Sequence, residues 1–266
     1  MKNPHSSLLI AFRHYREDLY SNRSRDPNKK RPAWYSNLLC MKSIVNSIMR
    51  FSENRNIKLI IWYDGTEHDF ETDILIDYLR TKIQHIDVSY HLKIYNGNNK
   101  LAFSELLDFA TSQIEFDYFY LVENDYLHLP DAINCIFQIM DTFADIDYLN
   151  LADHLDYYHL PIHKKYNTEL RYTRDFLIKS SYSTTGTFVV RRASLIEDST
   201  LLKEKADFEF FSKIIGLKDK KLFTTIPSQA AHCMEQLLPP AISWEKEARD
   251  IDSQPTIAPT NSLSIS

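Results

Sequence analysis

The feature that most constrains this chain is an alternation, sustained from residue 7 to residue 143, of short apolar runs with amphipathic segments of helical period. Residues 7–12, 58–63 and 118–122 are apolar runs of strand length, and 88–95 alternates as a further strand. Runs that are apolar on both faces suit strands buried between two layers. Between them, Trp34, Leu38, Met41, Val45 and Ile48 recur at helical spacing within 33–51, and Ile74, Leu75, Tyr78 and Leu79 point inward from a helix over 71–83. Helices over 103–114 and 130–143 complete this half, the second opened by Pro130. Strand and helix in turn predict an α/β fold with a mostly parallel central sheet and helices on both faces.

Beyond Asp147 the rhythm changes. A short strand over 148–152 precedes an irregular, aromatic, His-containing region over 153–182. A strand over 187–191, a helix over 205–216 capped by Gly216, an extended segment over 224–231 and a surface helix over 241–249 complete the pattern. The stretch 251–266 is rich in Ser, Thr and Pro and predicts a disordered tail, leaving 1–250 as one domain. A chain of 266 residues is long enough for that domain to bury a full core.

Composition excludes several classes. A net charge of −5 provides no whole-chain basic field for nucleic acid or an anionic membrane. The apolar runs fall far short of a membrane span or a signal-peptide core. Cys40, Cys135 and Cys233 lie far apart in sequence without paired spacing, which reads as a reduced, cytoplasmic chain. Glycine occurs only 4 times, so Gly65, Gly97 and Gly186, each at the end of an apolar run, mark candidate ligand loops. Residues 13–32 carry seven Lys and Arg against three acids. That stretch reads as a solvated loop or as a phosphate- or acceptor-facing one, the second placing Arg13 among the ligand contacts.

The strongest motif is the strand 118–122 running directly into Glu123-Asn124-Asp125 and then Pro130-Asp131 at a helix start. Acids at the C-terminal edge of a parallel strand lie in the crevice where ligands bind. If the strand continues, Glu123 and Asp125 share one side and could both face a divalent cation and its phosphates. A second strand ends in Asp64-Gly65-Thr66, and Asn96-Gly97-Asn98-Asn99-Lys100 opens the helix leading to the acidic motif.

This ordered set resembles the family 2-like nucleotide-sugar glycosyltransferases of the GT-A fold, over roughly residues 7–235. The resemblance implies a Rossmann-like single domain with a nucleotide half over about 1–130 and an acceptor half over about 131–250. It implies that Asp64 hydrogen-bonds the nucleobase, that Glu123 lies near the ribose, that Asp125 binds the metal, and that Lys100 contacts the nucleotide. Glu123 departs from the family's first Asp, and Phe103-Ser104 from its usual Arg-Asn or Leu-Asn. In the second half, the segment 183–192 resembles the acceptor-side strand with its glycine and basic pair. Asp207 and Glu209 occupy the place of the acid pair at a helix start, and His232, after Pro227-Ser228-Gln229, that of the histidine completing the metal site.

The activity implied by the resemblance is that of a Mn²⁺- or Mg²⁺-dependent glycosyltransferase. It would move a sugar from a nucleotide-sugar donor, UDP-linked, to a saccharide or other hydroxyl acceptor. Asp207 or Glu209 would be the base and the anomeric configuration would invert. A modified nucleic-acid base as acceptor is less favoured by the acidic net charge. A non-catalytic nucleotide-sugar-binding protein is the rival from another class. A nucleotidyltransferase would show a Gly-rich loop after the first strand, and residues 11–15 have no glycine. A zinc hydrolase would draw on His154, His159, His163, Asp153 and Asp156, at spacings that fit no common zinc site. Tyr157, Tyr158, Tyr166 and Tyr172 read equally as shaping an acceptor pocket or as buried tyrosines of a surface loop.

Overall fold

The computed structural model describes residues 6–16, 30–51, 53–83, 85–160, 167–204 and 207–253. In chain order the elements are β1 (Leu8–Tyr15), α1 (Asn37–Arg50), β2 (Ile57–Asp64), α2 (Glu67–Glu71), α3 (Ile74–Lys82), β3 (Asp87–Lys93), α4 (Asn99–Ser112) and β4 (Tyr118–Glu123). Next come β5 (Tyr126–His128), α5 (Ala132–Thr142), β6 (Tyr148–Asn150), α6 (Asp156–His159), β7 (Leu170–Tyr172), β8 (Leu177–Ser180) and β9 (Phe188–Arg191). The last are α7 (Arg192–Glu204), α8 (Asp207–Lys218), β10 (Leu222–Ile226), β11 (Ala230–His232) and α9 (Trp244–Ser253).

Nine strands form one mixed sheet in the order β3-β2-β1-β4-β9-β6-β10-β8-β7. The block β3-β2-β1-β4 is parallel throughout. β9 runs antiparallel to both β4 and β6, so one sheet joins the two halves of the chain. β5 and β11 pair antiparallel as a separate ribbon.

The period of two along each strand sorts side chains onto opposite faces. Leu8, Ile10 and Phe12 of β1 join Ile61 and Tyr120 in a core with Ile44 of α1, Leu79 of α3 and Ile136 of α5. Leu9, Ala11, Trp62 and Leu121 face the other way, toward Leu107 of α4, Leu195 of α7 and Phe211 of α8. Each fully buried side chain of this size contributes roughly 1.5–3 kcal/mol. A one-residue slip of β1 would exchange its two faces, Leu for Ile and Ala for Phe, so the register is held by shape on both sides.

Several expectations need correction. The helix expected over 71–83 is α3, which begins only at Ile74, where Asp73 accepts from the Leu75 N–H, and a separate short helix, α2, precedes it. Ile74, expected inward, is 69% exposed in the first turn of α3, and Ile76 is buried in its place. Gly216 lies inside α8, and the positive φ after that helix falls at Asp219 (54°). The region 153–182 contains α6, β7 and β8, and α7 was not expected at all. Finally, residues 251–253 belong to α9, where Ile251 is buried with Leu39 and Cys40 of α1; the rest of the expected tail lies outside the described residues.

Candidate active site at the ends of the parallel strands

β1, β2 and β3 end level with one another, and β4 ends beside Arg13. Register sets Tyr15 beside Asp64, Asp64 beside Lys93, and Arg13 beside Glu123. Two hollows open at this edge. The smaller, about 100 Å³, is polar and is bordered by Arg13, His14, Asp64, Glu123, Asp125 and His232. The larger, about 430 Å³, shares Arg13 and Asn99 with it and is lined by Phe103, Phe188, Phe210 and Phe211.

Asp125 is the centre of the polar hollow. Its Oδ2 accepts from Arg31 Nη2 at 2.8 Å and lies 3.1 Å from His232 Nε2, across 107 residues of chain. The pairing with His232 arises because β11 lies antiparallel on β5, with His232 opposite Tyr126. Burial raises the Asp125 pKa, but the positive charges and hydrogen bonds of His232 and Arg31 outweigh that and hold the carboxyl well below its usual range. For His232, burial disfavours the charged ring, and Asp125 more than offsets it, so the imidazole pKa is raised. The His232 ring stacks on Tyr126 with centroids 4.9 Å apart. Asp125 Oδ1 and His232 Nδ1 are buried and have no hydrogen-bond partner among the described residues.

Glu123 does not share a continuing strand with Asp125. β4 ends at Glu123 and a turn intervenes, so the two acids border one hollow with different partners. Glu123 pairs with Arg13 at 2.6 Å, and the Arg13 guanidinium lies 4.9 Å from the centre of the Phe103 ring. The turn is fixed from behind. Asn124 Nδ2 donates to His14 Nδ1 (3.2 Å) and to the Tyr15 carbonyl (3.1 Å). Because His14 Nδ1 accepts there, its Nε2 carries the proton and donates to Asp73 Oδ2 at 2.9 Å. Tyr63 also donates to Asp73 Oδ2, at 3.0 Å. Burial raises the Asp73 pKa, yet the hydrogen bonds from His14, the Leu75 N–H and Tyr63 bring it below normal.

Asp64 is buried and already engaged. Its Oδ1 accepts from the backbone N–H of Tyr95 (2.6 Å) and Asn96 (3.1 Å), and its Oδ2 from Gly97 (2.8 Å). Asn96 and Gly97 both have positive φ, 53° and 69°, which curls successive N–H groups around the carboxylate. Gly97 therefore serves this turn, whose Asn98 then caps α4 by accepting from the Leu101 N–H.

Across the ribbon, Thr185 Oγ1 lies 2.5 Å from the Tyr126 hydroxyl and 2.9 Å from His154 Nε2. Thr185 has φ +56°, a strained value for a β-branched residue, and Gly186 adjoins it at +86°. Gly186 faces the Glu123 carboxylate: a Cβ there would lie 3.8 Å from Oε2. His154 is thus turned to Thr185, and Asp153 to Lys179 at 2.6 Å, while His159 is exposed. His163 and Tyr166 lie outside the described residues. Tyr172 is 79% exposed, away from a pocket-shaping role.

Asp207 is the first residue of α8, and its side chain lies outside the described residues. Phe210 and Phe211, on the same helix, line the larger cavity; Glu209 is exposed. Lys100 is exposed at the mouth of that cavity, not in the polar hollow. Sequence reasoning missed Arg31 as a partner of Asp125, gave no role to Asn124 within its motif, and gave none to His14 or Asp73. An Asp directly before the apolar helical stretch 74–79 was a legible cap signal. A His two residues past Phe12, on the same side of a strand, was a legible polar interruption. No protein-family model and no curated protein matches this chain.

Proposed function

We propose that the protein is a nucleotide-sugar-dependent glycosyltransferase whose donor diphosphate and divalent cation occupy the polar hollow. The observation that carries this reading is the convergence of Asp125 and His232 at the ends of parallel strands, each with a buried atom lacking a partner among the described residues. A parallel β3-β2-β1-β4 block flanked by an antiparallel β9 supports a GT-A-like arrangement.

Asp125 and His232 would hold the cation, offering carboxylate oxygen and imidazole nitrogen, a donor set suited to Mn²⁺. Two protein ligands leave the other coordination positions to diphosphate oxygens and water. When bound, the cation would stabilise the negative charge of the leaving diphosphate. Arg31, paired with Asp125 at 2.8 Å, would add a positive charge to the hollow, and Arg13 holds Glu123 in place. Asp207, opening α8 beside the cavity, is the proposed base for the acceptor hydroxyl, with inversion as the outcome. Asp64 supports the nucleotide side by ordering the Asn96–Gly97 turn.

The test is calorimetric titration with UDP and UDP-sugars, with and without Mn²⁺. Metal-dependent binding lost in Asp125→Asn supports the reading. Absence of binding to any nucleoside diphosphate removes it.

A further inference from the structure

The larger cavity has a chemistry of its own. Its buried lining comes from Phe188 of β9, Leu202 of α7, and Phe210 and Phe211 of α8, all at most 5% exposed, with the half-buried Phe103 of α4. The phenyl rings are locked edge to face, with Phe188 and Phe211 centroids 5.6 Å apart and Phe210 and Phe211 4.7 Å apart. None of these side chains can form a hydrogen bond. Any hydroxyl that a saccharide turned onto this lining would find no partner there, at a cost comparable to a lost hydrogen bond.

The polar lining is of the opposite kind. Arg13, Lys100 and Lys203 can only donate, Asn99 can donate and accept, and Glu204 is the single acid beside them among the described residues. Arg13 is directed to Glu123, and Lys203 to Asp108, which is not part of the cavity. Lys100 stands exposed one residue into the first turn of α4, a 14-residue helix whose N-terminal dipole adds to its charge. Donor-only groups at a mouth suit a ligand group that only accepts, which means an anion. The volume, about 430 Å³, is that of a small-molecule site.

We infer that this cavity binds an anionic amphiphile, with its apolar body against the phenylalanines and its anionic group at Lys100. Calling that molecule the acceptor rests on the glycosyltransferase reading; the binding itself does not. On both together, the acceptor is an apolar molecule carrying one anionic group and the hydroxyl that takes the sugar and gives its proton to the base, not the polyhydroxylated saccharide expected from the sequence.

The experiment is calorimetric titration of the full chain with octyl phosphate and with naphthyl phosphate, against inorganic phosphate and octanol as controls. Saturable one-to-one binding of either organic phosphate, well above both controls, is expected; which of the two binds more tightly distinguishes a chain-shaped body from a ring-shaped one. Lys100→Glu, a change at an exposed position that leaves the fold intact, should weaken that binding about tenfold. Leu202→Trp, which fills the cavity, should abolish it in a protein whose melting temperature is checked in parallel. Binding no stronger than that of inorganic phosphate or octanol overturns the inference, as does binding indifferent to Lys100→Glu. UDP titrated into the same protein separates the two readings. UDP–Mn²⁺ binding without amphiphile binding sinks only the cavity assignment, and amphiphile binding without UDP binding sinks only the glycosyltransferase.

Discussion

The polar hollow around Asp125 and the apolar cavity around Phe188 share Arg13 and Asn99, yet they are held by different forces. In the hollow, geometry comes from directional pairing: Arg31 and His232 on Asp125, Arg13 on Glu123, and the Asn124–His14–Asp73 chain behind the turn. In the cavity it comes from packing, with phenyl rings fixed by one another and by Tyr148. Substitutions that change charge but keep shape should therefore act on the hollow, and substitutions that change volume should act on the cavity. The boundary between them, at Arg13 and Asn99, is where a reaction joining two substrates would occur.

The largest expected effect is at Asp207, the proposed base. Asp207→Asn keeps the volume and removes the basicity, so single-turnover transfer should fall by a factor on the order of 10²–10⁴ while UDP-sugar binding is retained. Glu209→Gln should leave transfer near normal. The reverse pattern would move the base two residues along α8, and retention of anomeric configuration in the product would end the single-base account.

Asp64 sharpens the comparison within the hollow. Its carboxylate accepts three backbone N–H bonds, so Asp64→Ala should lower unfolding stability by about 1.5–3 kcal/mol, read by denaturant titration. The accompanying loss of nucleotide affinity should be equal for UDP and CDP, because the damage is to the turn. A loss confined to uridine nucleotides would instead show direct contact with the base and restore the role implied by resemblance.

A smaller effect separates burial from pairing. His128 lies in β5 beneath the hollow, its Nε2 2.8 Å from the Tyr120 hydroxyl, and burial pushes its pKa down to about 3. Its folded pKa lies below the unfolded value, so the neutral ring's contribution is full above about pH 6.5 and is lost as the unfolded chain takes up a proton below that. Between pH 7 and pH 5 this amounts to about 2 kcal/mol. The lowered carboxylates Asp73 and Asp125 act only at lower pH, and His232, whose pKa is raised, acts with the opposite sign. The loss should thus be visible as the difference between the parent and His128→Gln in denaturant unfolding at the two pH values. Equal pH dependence in both would place the acid sensitivity elsewhere.

The parallel block was legible because its strands are apolar on both faces and bounded by helices of clear period, as in 8–12 and 59–63. The second half was not. α7 carries Ser194 and Asp198 on its buried face, and Asp198 is satisfied there by the Tyr148 hydroxyl at 2.7 Å and by Lys218 at 2.6 Å. Polar residues that find partners far away in sequence erase the helical pattern. The same reason hid much of the site. Asp125 and His232 could be named from motif order, but Arg31 reaches Asp125 across 94 residues and His14 meets Asp73 across 59. Asp64 was correctly placed at a strand end, while its three backbone partners depend on the positive φ of Asn96, a conformation its sequence permits but does not require.

The central claim is that Asp125 and His232 act together on a cation and a diphosphate. Calorimetric titration of UDP into the parent, Asp125→Asn and His232→Ala, each with and without Mn²⁺, tests it most directly. The account predicts that Mn²⁺ strengthens UDP binding in the parent and that either substitution abolishes this gain while the protein remains folded. UDP–Mn²⁺ binding in His232→Ala as tight as in the parent would contradict it.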